Sequence, residues 1–204
     1  MNILYPLIKG FIASGCLIIA IGAQNAFVIK QGLRRHLTLL TALVCSLIDA
    51  GLIISGVLGL GQIISTYPEF IEFTKYFASI FLFIYGIIAF RSAFKIKKTA
   101  KTSADAIALP TIKETIILLL ALSLLNPHVY LDTVILLGSI ASEHQADEKL
   151  YFCLGAIIAS FSWFFAISYG AQLLNPFFQK DSSWKFIDGF TGLMMWGIAF
   201  TLLI

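Results

Sequence analysis

Two carboxylates, those of Asp49 and Asp132, lie in stretches of sequence that are otherwise almost free of charge. Asp49 is the central residue of the 25-residue apolar segment 37–61, where burying an ionised side chain in a bilayer costs about 2.5–3.5 kcal/mol. Asp132 is the one charged residue of segment 115–142. Acids in such surroundings are typical of a site that binds a cation, a proton or both. The alternative is a structural carboxylate that bonds to a neighbouring helix.

Three amides, those of Gln24, Asn25 and Asn126, also fall within apolar runs and need hydrogen-bond partners where water is absent. They can bind the carboxylate or amine of an amino acid, or they can satisfy carbonyls that a broken helix leaves free. Pro127 disfavours a continuous helix after Asn126, and the free N–H groups that follow it suit a carboxylate. His128 follows the break and can titrate, although a histidine there more often bonds only to the backbone.

Motifs of other chemistries are absent from the sequence. Neither Gly-x-x-x-x-Gly-Lys, His-Glu-x-x-His nor Gly-x-Ser-x-Gly occurs, so we predict neither an ATP-driven pump nor an enzyme, and we assign no catalytic residue. Cys16, Cys45 and Cys153 lie in apolar runs without metal-ligand spacing, so we predict no metal site and no cofactor. The only basic cluster has no interleaved aromatic residues, which argues against nucleic-acid binding.

The elements that carry these residues are predicted to be membrane spans. Of the 204 residues 59% are apolar and only 12% are charged, against about 25% in soluble domains. The mean hydropathy is +0.91. This composition excludes a soluble enzyme and a disordered chain. Apolar runs of about 20 residues predict an all-α membrane protein, one domain over 1–204, with spans at 6–29, 37–61, 74–94, 112–141, 150–173 and 186–204.

The fourth predicted span, 112–141, is too long for one straight helix. It would extend about 45 Å against a hydrocarbon core of about 30 Å. Asn126 and Pro127 interrupt it near the middle. The segment is therefore either a broken helix or a re-entrant hairpin. Irregular backbone of this kind survives at membrane depth only where it is buried in protein or lines a cavity.

The distribution of Lys and Arg predicts the orientation. Eleven of the 14 lie in segments 30–36, 91–113 and 174–185. The positive-inside rule places these segments in the cytoplasm and both termini outside, whereas a fourth segment that returned to its starting side would place the C-terminus inside. In this interpretation Lys30 belongs to a cytoplasmic loop. No Lys or Arg then lies in the interior of a span, and the two acids have no obvious internal cation partner.

The chain divides into two halves that share a weak internal echo. A linker-like stretch, 95–111, separates 1–94 from 112–204, and each half holds three spans, so the second half would be inverted. Residues 24–28 and 125–129 share the pattern Asn-x-x-Val in the first span of their half. Inverted repeats with interrupted first helices recur in secondary transporters, where the substrate site lies at the breaks.

Longer motifs resemble the lysine exporter (LysE) superfamily. Residues 21–28, Ile-Gly-Ala-Gln-Asn-Ala-Phe-Val, and residues 125–133, Leu-Asn-Pro-His-Val-Tyr-Leu-Asp-Thr, are similar to its two signatures. The resemblance covers nearly the whole chain and is closest to the basic amino-acid branch, the lysine and arginine exporters. The family often has Gly-Pro-Gln-Asn in the first span, whereas Ala23 replaces the proline here. We therefore expect Gly22 to supply the first helix break.

The resemblance implies a multi-pass exporter of L-arginine or L-lysine in the bacterial inner membrane, driven by the proton-motive force. Its intramembrane acid maps to Asp49. The residues then expected to bind substrate or protons are Asp49, Asp132, Gln24, Asn25, Asn126 and His128, with helix breaks at Gly22 and Pro127.

The expected partners are a basic amino acid, protons and the lipid bilayer. Stripes of small residues permit close packing within one chain and equally in a homo-oligomer. The sequence leaves two alternatives open. One is the export of a neutral amino acid of the homoserine or threonine type, or of another small cation. The other is a membrane scaffold that transports nothing.

Overall fold

The computed structural model describes residues 3–19, 22–60, 68–94, 109–175 and 181–203, and all regular secondary structure in these ranges is helical. The helices are α1 (Leu4–Ile18), α2 (Ala23–Leu33), α3 (Thr38–Val57), α4 (Pro68–Phe94), α5 (Ile112–Leu124), α6 (Pro127–Val129), a π-helical segment (Tyr130–Leu136), α7 (Leu137–Ser142), α8 (Ala146–Leu174) and α9 (Asp181–Leu203). Except for residues 109–111, the predicted linker 95–111 lies outside the described residues.

Four helices among the described residues, α3, α4, α8 and α9, are long and apolar enough to cross a membrane. Two bent pairs bring the number to six when each pair counts as one span. The first pair is α1 with α2, and the second is α5 with the segment Pro127–Ser142, here called the second arm. The prediction of an all-helical, multi-pass membrane protein is therefore confirmed.

The first predicted span consists of two helices whose axes differ by 85°. α1 ends at Ile18, and α2 begins at Ala23 with Gly22 as its extended N-cap residue. The Asn25 side chain joins the two pieces, because its Nδ2 donates to the Ile18 carbonyl at 3.0 Å. This bond satisfies one of the carbonyls that the end of α1 leaves free.

The fourth predicted span bends by 62° between α5 and the second arm. Asn126 is the N-cap residue of the arm, and its side chain accepts a hydrogen bond from the His128 N–H at 3.1 Å. Pro127 occupies the first helical position, where a missing N–H costs nothing. The Tyr130 hydroxyl donates to the Leu124 carbonyl at 2.6 Å and so satisfies the end of α5.

Three long helices begin several residues before the spans that hydropathy predicts. α4 begins at Pro68, α8 at Ala146 and α9 at Asp181, whereas the predicted spans begin at 74, 150 and 186. Hydropathy detects only the part of a helix that lies in hydrocarbon. The first turns of α4 and α8 carry acids such as Glu69 and Asp147, which the positive end of the helix dipole stabilises.

Helices that precede the predicted linker pack against helices that follow it. α4 pairs extensively with α9, and α8 packs on α1, α2 and α3. α3 in turn contacts α5 and the second arm.

Lys9 and Glu143 form an exposed ion pair at one end of the bundle, in which the Lys9 Nζ lies 2.9 Å from the Glu143 Oε2. The hydrogen bond from Lys9 lowers the pKa of the Glu143 carboxyl.

Glycines bring α1 and α8 into direct backbone contact. A Cβ atom on Gly10 would collide with the backbone of Phe152, and one on Gly155 would collide with the backbone of Leu7. Both helices therefore depend on a missing side chain at the same interface, and this interface permits the close approach that small residues give in membranes.

Lys30 is buried inside α2 and is not a loop residue. α2 continues to Leu33, and the Lys30 Nζ lies 2.6 Å from the Asp188 Oδ1 in α9. The helix thus extends beyond the predicted end of the first span at 29, and the prediction that Lys30 belongs to a loop was wrong. A hydropathy count ends a span at the first charge, and it cannot see that an acid on a distant helix compensates that charge.

Candidate functional site

A cavity of about 330 Å³ lies between the two helix breaks. This volume falls within the range of small-molecule sites, about 300–1,000 Å³. Both breaks, α3, the second arm, α8 and α9 contribute to its wall. The described side chains that bring polar groups to the cavity are Ser14, Gln24, Asn25, Asp49, Asn126, His128, Asp132, Thr133 and Thr201.

The six residues expected to bind substrate or protons all line this one cavity. Gln24 and Asn25 come from α2, and Asp49 comes from α3. Asn126 immediately precedes the second arm, which carries His128 and Asp132. Of the two residues expected at the breaks, Gly22 also lines the cavity, whereas Pro127 is buried outside its wall.

Asp49 lies in the middle of α3 and is only 5% exposed. Its Oδ2 accepts a hydrogen bond from the Ser160 hydroxyl of α8 at 3.1 Å. None of the ion pairs between described residues includes Asp49. A buried carboxylate with so little compensation is stabilised when a cation or a proton joins it.

Asp132 occupies a more open place in the same cavity. It is half-buried in the π-helical segment of the second arm, four residues beyond His128. His128 itself is exposed. Single-turn π segments inside helices are frequent at functional sites. The cavity therefore presents one deep acid, Asp49, and one shallower acid, Asp132.

The three amides play different structural parts. Asn25 is fully engaged, because its Nδ2 donates to Ile18 and its Oδ1 accepts from the Trp163 indole at 3.4 Å. Asn126 caps the second arm. Gln24 is 8% exposed, and its Nε2 is buried without a hydrogen-bond partner among the described residues. Asn25 and Asn126 therefore serve the two breaks, whereas the Gln24 amide lies beside both the cavity and the Cys45 thiol.

Sequence reasoning did not identify two polar contacts. Ser160 lies in the middle of a predicted span, but no motif in the sequence connects it with Asp49, which is 111 positions away. Asp188 contacts Lys30 and Ser92. It was assigned to no site because it lies close to residue 186, where the last span was predicted to begin. The available signal was an acid that borders the uncharged run 189–204.

A polar cavity enclosed by broken helices in an all-helical membrane protein is the architecture of a transporter. The LysE type translocator family model matches residues 16–204. The chain belongs to this family. It is therefore a transport protein, and it is a multi-pass protein of the inner membrane.

Relatives match along nearly their whole length. The arginine exporter protein ArgO of Serratia proteamaculans is 36% identical over 195 residues, which cover 96% of this chain and 94% of that protein. The putative amino-acid transporter YggA of Aeromonas salmonicida is 37% identical over the same shares of the two chains. A putative amino-acid transporter of Mycobacterium tuberculosis is 35% identical over 91% of this chain and 90% of its own. No solved structure matches the chain.

Proposed function

We propose that the protein is a secondary-active exporter of basic amino acids, L-arginine or L-lysine, across the bacterial inner membrane. The observation that carries this proposal is the charge of the cavity. Two carboxylates, Asp49 and Asp132, line it, and no lysine or arginine is among its described lining residues. The names of relatives such as the arginine exporter of Serratia proteamaculans support the same substrate class.

The polar groups of the cavity suit the charges of a basic amino acid. Arginine and lysine carry an α-ammonium group, a cationic side chain and one carboxylate. The two acids of the cavity suit the two cationic groups, with Asp49 deep and Asp132 nearer the opening. The buried Nε2 of Gln24 has no oxygen acceptor among the described residues, and the substrate carboxylate would supply one.

Proton coupling follows from the same acids. A cation bound at Asp49 compensates its carboxylate, and a proton arriving at that oxygen would replace the cation. Export of the cation and entry of the proton would then alternate at one group. The proton-motive force would supply the energy, as no nucleotide-binding motif occurs in the sequence.

The helix pairing supports alternating access by two inverted halves. Each half has a broken helix followed by two long helices, and the third helices, α4 and α9, pair with each other. The broken helix of each half packs on the second helix of the other, α1 and α2 on α8, and α5 with the second arm on α3. Such reciprocal packing suits rocking of one half against the other around a central site.

The test is efflux of labelled arginine and lysine from preloaded bacteria that lack their own basic amino-acid exporter. We expect cells that produce the protein to lose either solute faster than cells with an empty vector. Collapse of the proton gradient by a protonophore should abolish the difference. Labelled threonine and homoserine are the matched neutral substrates.

Two results would contradict the proposal. Efflux of threonine or homoserine without efflux of arginine or lysine would assign the cavity to neutral amino acids. Absence of efflux for all four, with insertion into the membrane verified, would remove the amino-acid assignment.

A further inference from the structure

A second buried polar group, separate from the cavity, joins the two halves of the protein. Lys30 of α2 and Asp188 of α9 are 9% and 3% exposed, and their charged atoms lie 2.6 Å apart. The Ser92 hydroxyl of α4 donates to the other oxygen of Asp188 at 2.6 Å. Neither Lys30 nor Asp188 lines the cavity.

The pair lies at a defined position along helices that do line the cavity. Lys30 is eight residues beyond Gly22, about 12 Å along α2, and Asp188 is ten residues before Ile198, about 15 Å along α9. Lys30 also lies one turn from Arg34, at the end of α2 that the Lys and Arg distribution places in the cytoplasm.

Apolar side chains fill the space around α2 and α9 between these levels. Phe27 and Val28 of α2 belong to one buried cluster with Met195 of α9 and Leu82 of α4. The structure therefore has an apolar layer on the cytoplasmic side of the cavity, followed by a charged contact between the two halves. Entry of a solute between these two helices from the cytoplasm would require α2 to separate from α9.

We propose that the Lys30–Asp188 pair is the cytoplasmic gate of the transporter and holds α2 against α9 while the cavity is closed to the cytoplasm. This inference rests on the proposed transport function. In the closed state each buried charge is compensated by the other, and in the open state water solvates both charges. Neither state therefore contains a buried charge without a partner. Loss of one partner removes this balance, because it leaves a charge that is costly only in the closed state.

A single and a double variant test the contribution of the charge balance between the two residues. Asp188→Asn leaves the Lys30 ammonium buried beside Arg34 without its acid, so it should favour the state open to the cytoplasm. Lys30→Met combined with Asp188→Asn removes the stranded charge, so it should restore closure. Rescue by the double variant is expected for a merely structural pair as well, so the two roles are separated by opposite changes in access from the two faces of the membrane.

The experiment measures access to the cavity through one introduced thiol. Thr133→Cys places it in the cavity wall, in a chain whose three native cysteines are replaced by alanine. A membrane-impermeant maleimide is applied to inside-out vesicles and, separately, to right-side-out vesicles. We expect Asp188→Asn to raise labelling from the cytoplasmic face about tenfold and to lower it from the outer face, as a shift between two states requires.

Unchanged labelling of the introduced cysteine in Asp188→Asn would overturn the proposal of a gate. Increased labelling from both faces would also overturn it, because that result indicates a loosened fold. If Asp188→Asn fails to reach the membrane, Ser92→Ala is the second variant, and a smaller shift in the same direction is expected. The assay needs no substrate. A chain that exports neither arginine nor lysine can still show the gate, and an active exporter can still fail this test.

Discussion

The Ser160 hydroxyl of α8 donates a hydrogen bond to the Asp49 carboxylate of α3 across 3.1 Å, and both residues are buried. The bond joins the first long helix of one half to the first long helix of the other. It is also the one hydrogen bond to the Asp49 side chain between described residues. The deepest acid of the cavity is therefore fixed in place at the interface between the halves.

Asp49→Asn is expected to abolish export without loss of the protein from the membrane. The amide has nearly the same shape and still accepts from Ser160, but it carries no charge for a cation and takes up no proton. Efflux of labelled arginine and lysine at matched membrane levels is the measurement. Asp147→Asn, an exposed acid in the first turn of α8, is the control and should keep full efflux. Full efflux by Asp49→Asn would refute the role assigned to this acid.

Ser160→Ala should slow export by about tenfold and leave some activity. It removes a hydrogen bond to a charged group, worth roughly 1.5–3 kcal/mol, but keeps the carboxylate itself. Initial efflux rates at saturating internal arginine provide the measurement. Ser162→Ala, an exposed position two residues along α8, should behave like the unmodified protein. Equal rates for the two variants would show that the Ser160 bond does not matter for transport.

Gln24→Met should weaken substrate binding by about tenfold or more, because it removes a hydrogen-bond donor from a charged carboxylate. The half-saturating internal concentration of arginine should rise while membrane abundance stays the same. Gln31→Met is a matched control on the same helix, since the Gln31 Nε2 is also buried without a partner among the described residues but does not line the cavity. A similar rise in both variants would count against a substrate contact at Gln24.

Asn25→Ala should lower stability more than Trp163→Phe does. The alanine loses the bond to the Ile18 carbonyl and the bond from the Trp163 indole, and each unsatisfied buried group costs about 1–3 kcal/mol. The phenylalanine loses only the indole donor. Thermal unfolding of the purified protein in detergent ranks the two. Equal midpoints would mean that the contact between the first two helices contributes little.

Gly155→Ala should be strongly destabilising, because its Cβ would meet the backbone of Leu7. Overpacking of this kind costs about 1–3 kcal/mol. Gly170→Ala on the same helix has open space at the Cβ position and should raise stability slightly or leave it unchanged. Thermal unfolding distinguishes them. A Gly155→Ala protein as stable as the Gly170→Ala protein would show that α1 and α8 separate easily.

The sequence was sufficient for those features that depend on neighbouring residues. The uncharged runs predict the long helices, and Asn126 with Pro127 predicts the interruption of the fourth span. The six expected site residues all line one cavity. Two of the motifs that carry them, residues 21–28 and 125–133, border helix breaks. A helix break at membrane depth has to be buried in protein or line a cavity.

Features that depend on distant residues were beyond a single sequence. Asp188 compensates Lys30 from 158 positions away, and Ser160 reaches Asp49 from 111. Hydropathy averages over a window, so a lysine whose charge is compensated looks like the end of a span. The shared pattern Asn-x-x-Val also does not place its two asparagines at equivalent positions in their helices. Asn25 lies inside α2, whereas Asn126 is the N-cap residue of the second arm.

The contact between Gly10 and Phe152, and between Gly155 and Leu7, has a consequence for biogenesis. α1 leaves the ribosome before its main partner, α8, which follows only after some 130 further residues have been synthesised. Until then Gly10 lacks the helix whose close approach its missing side chain permits. The first half of the chain therefore cannot complete its tertiary structure alone, and final assembly waits for insertion of the second half.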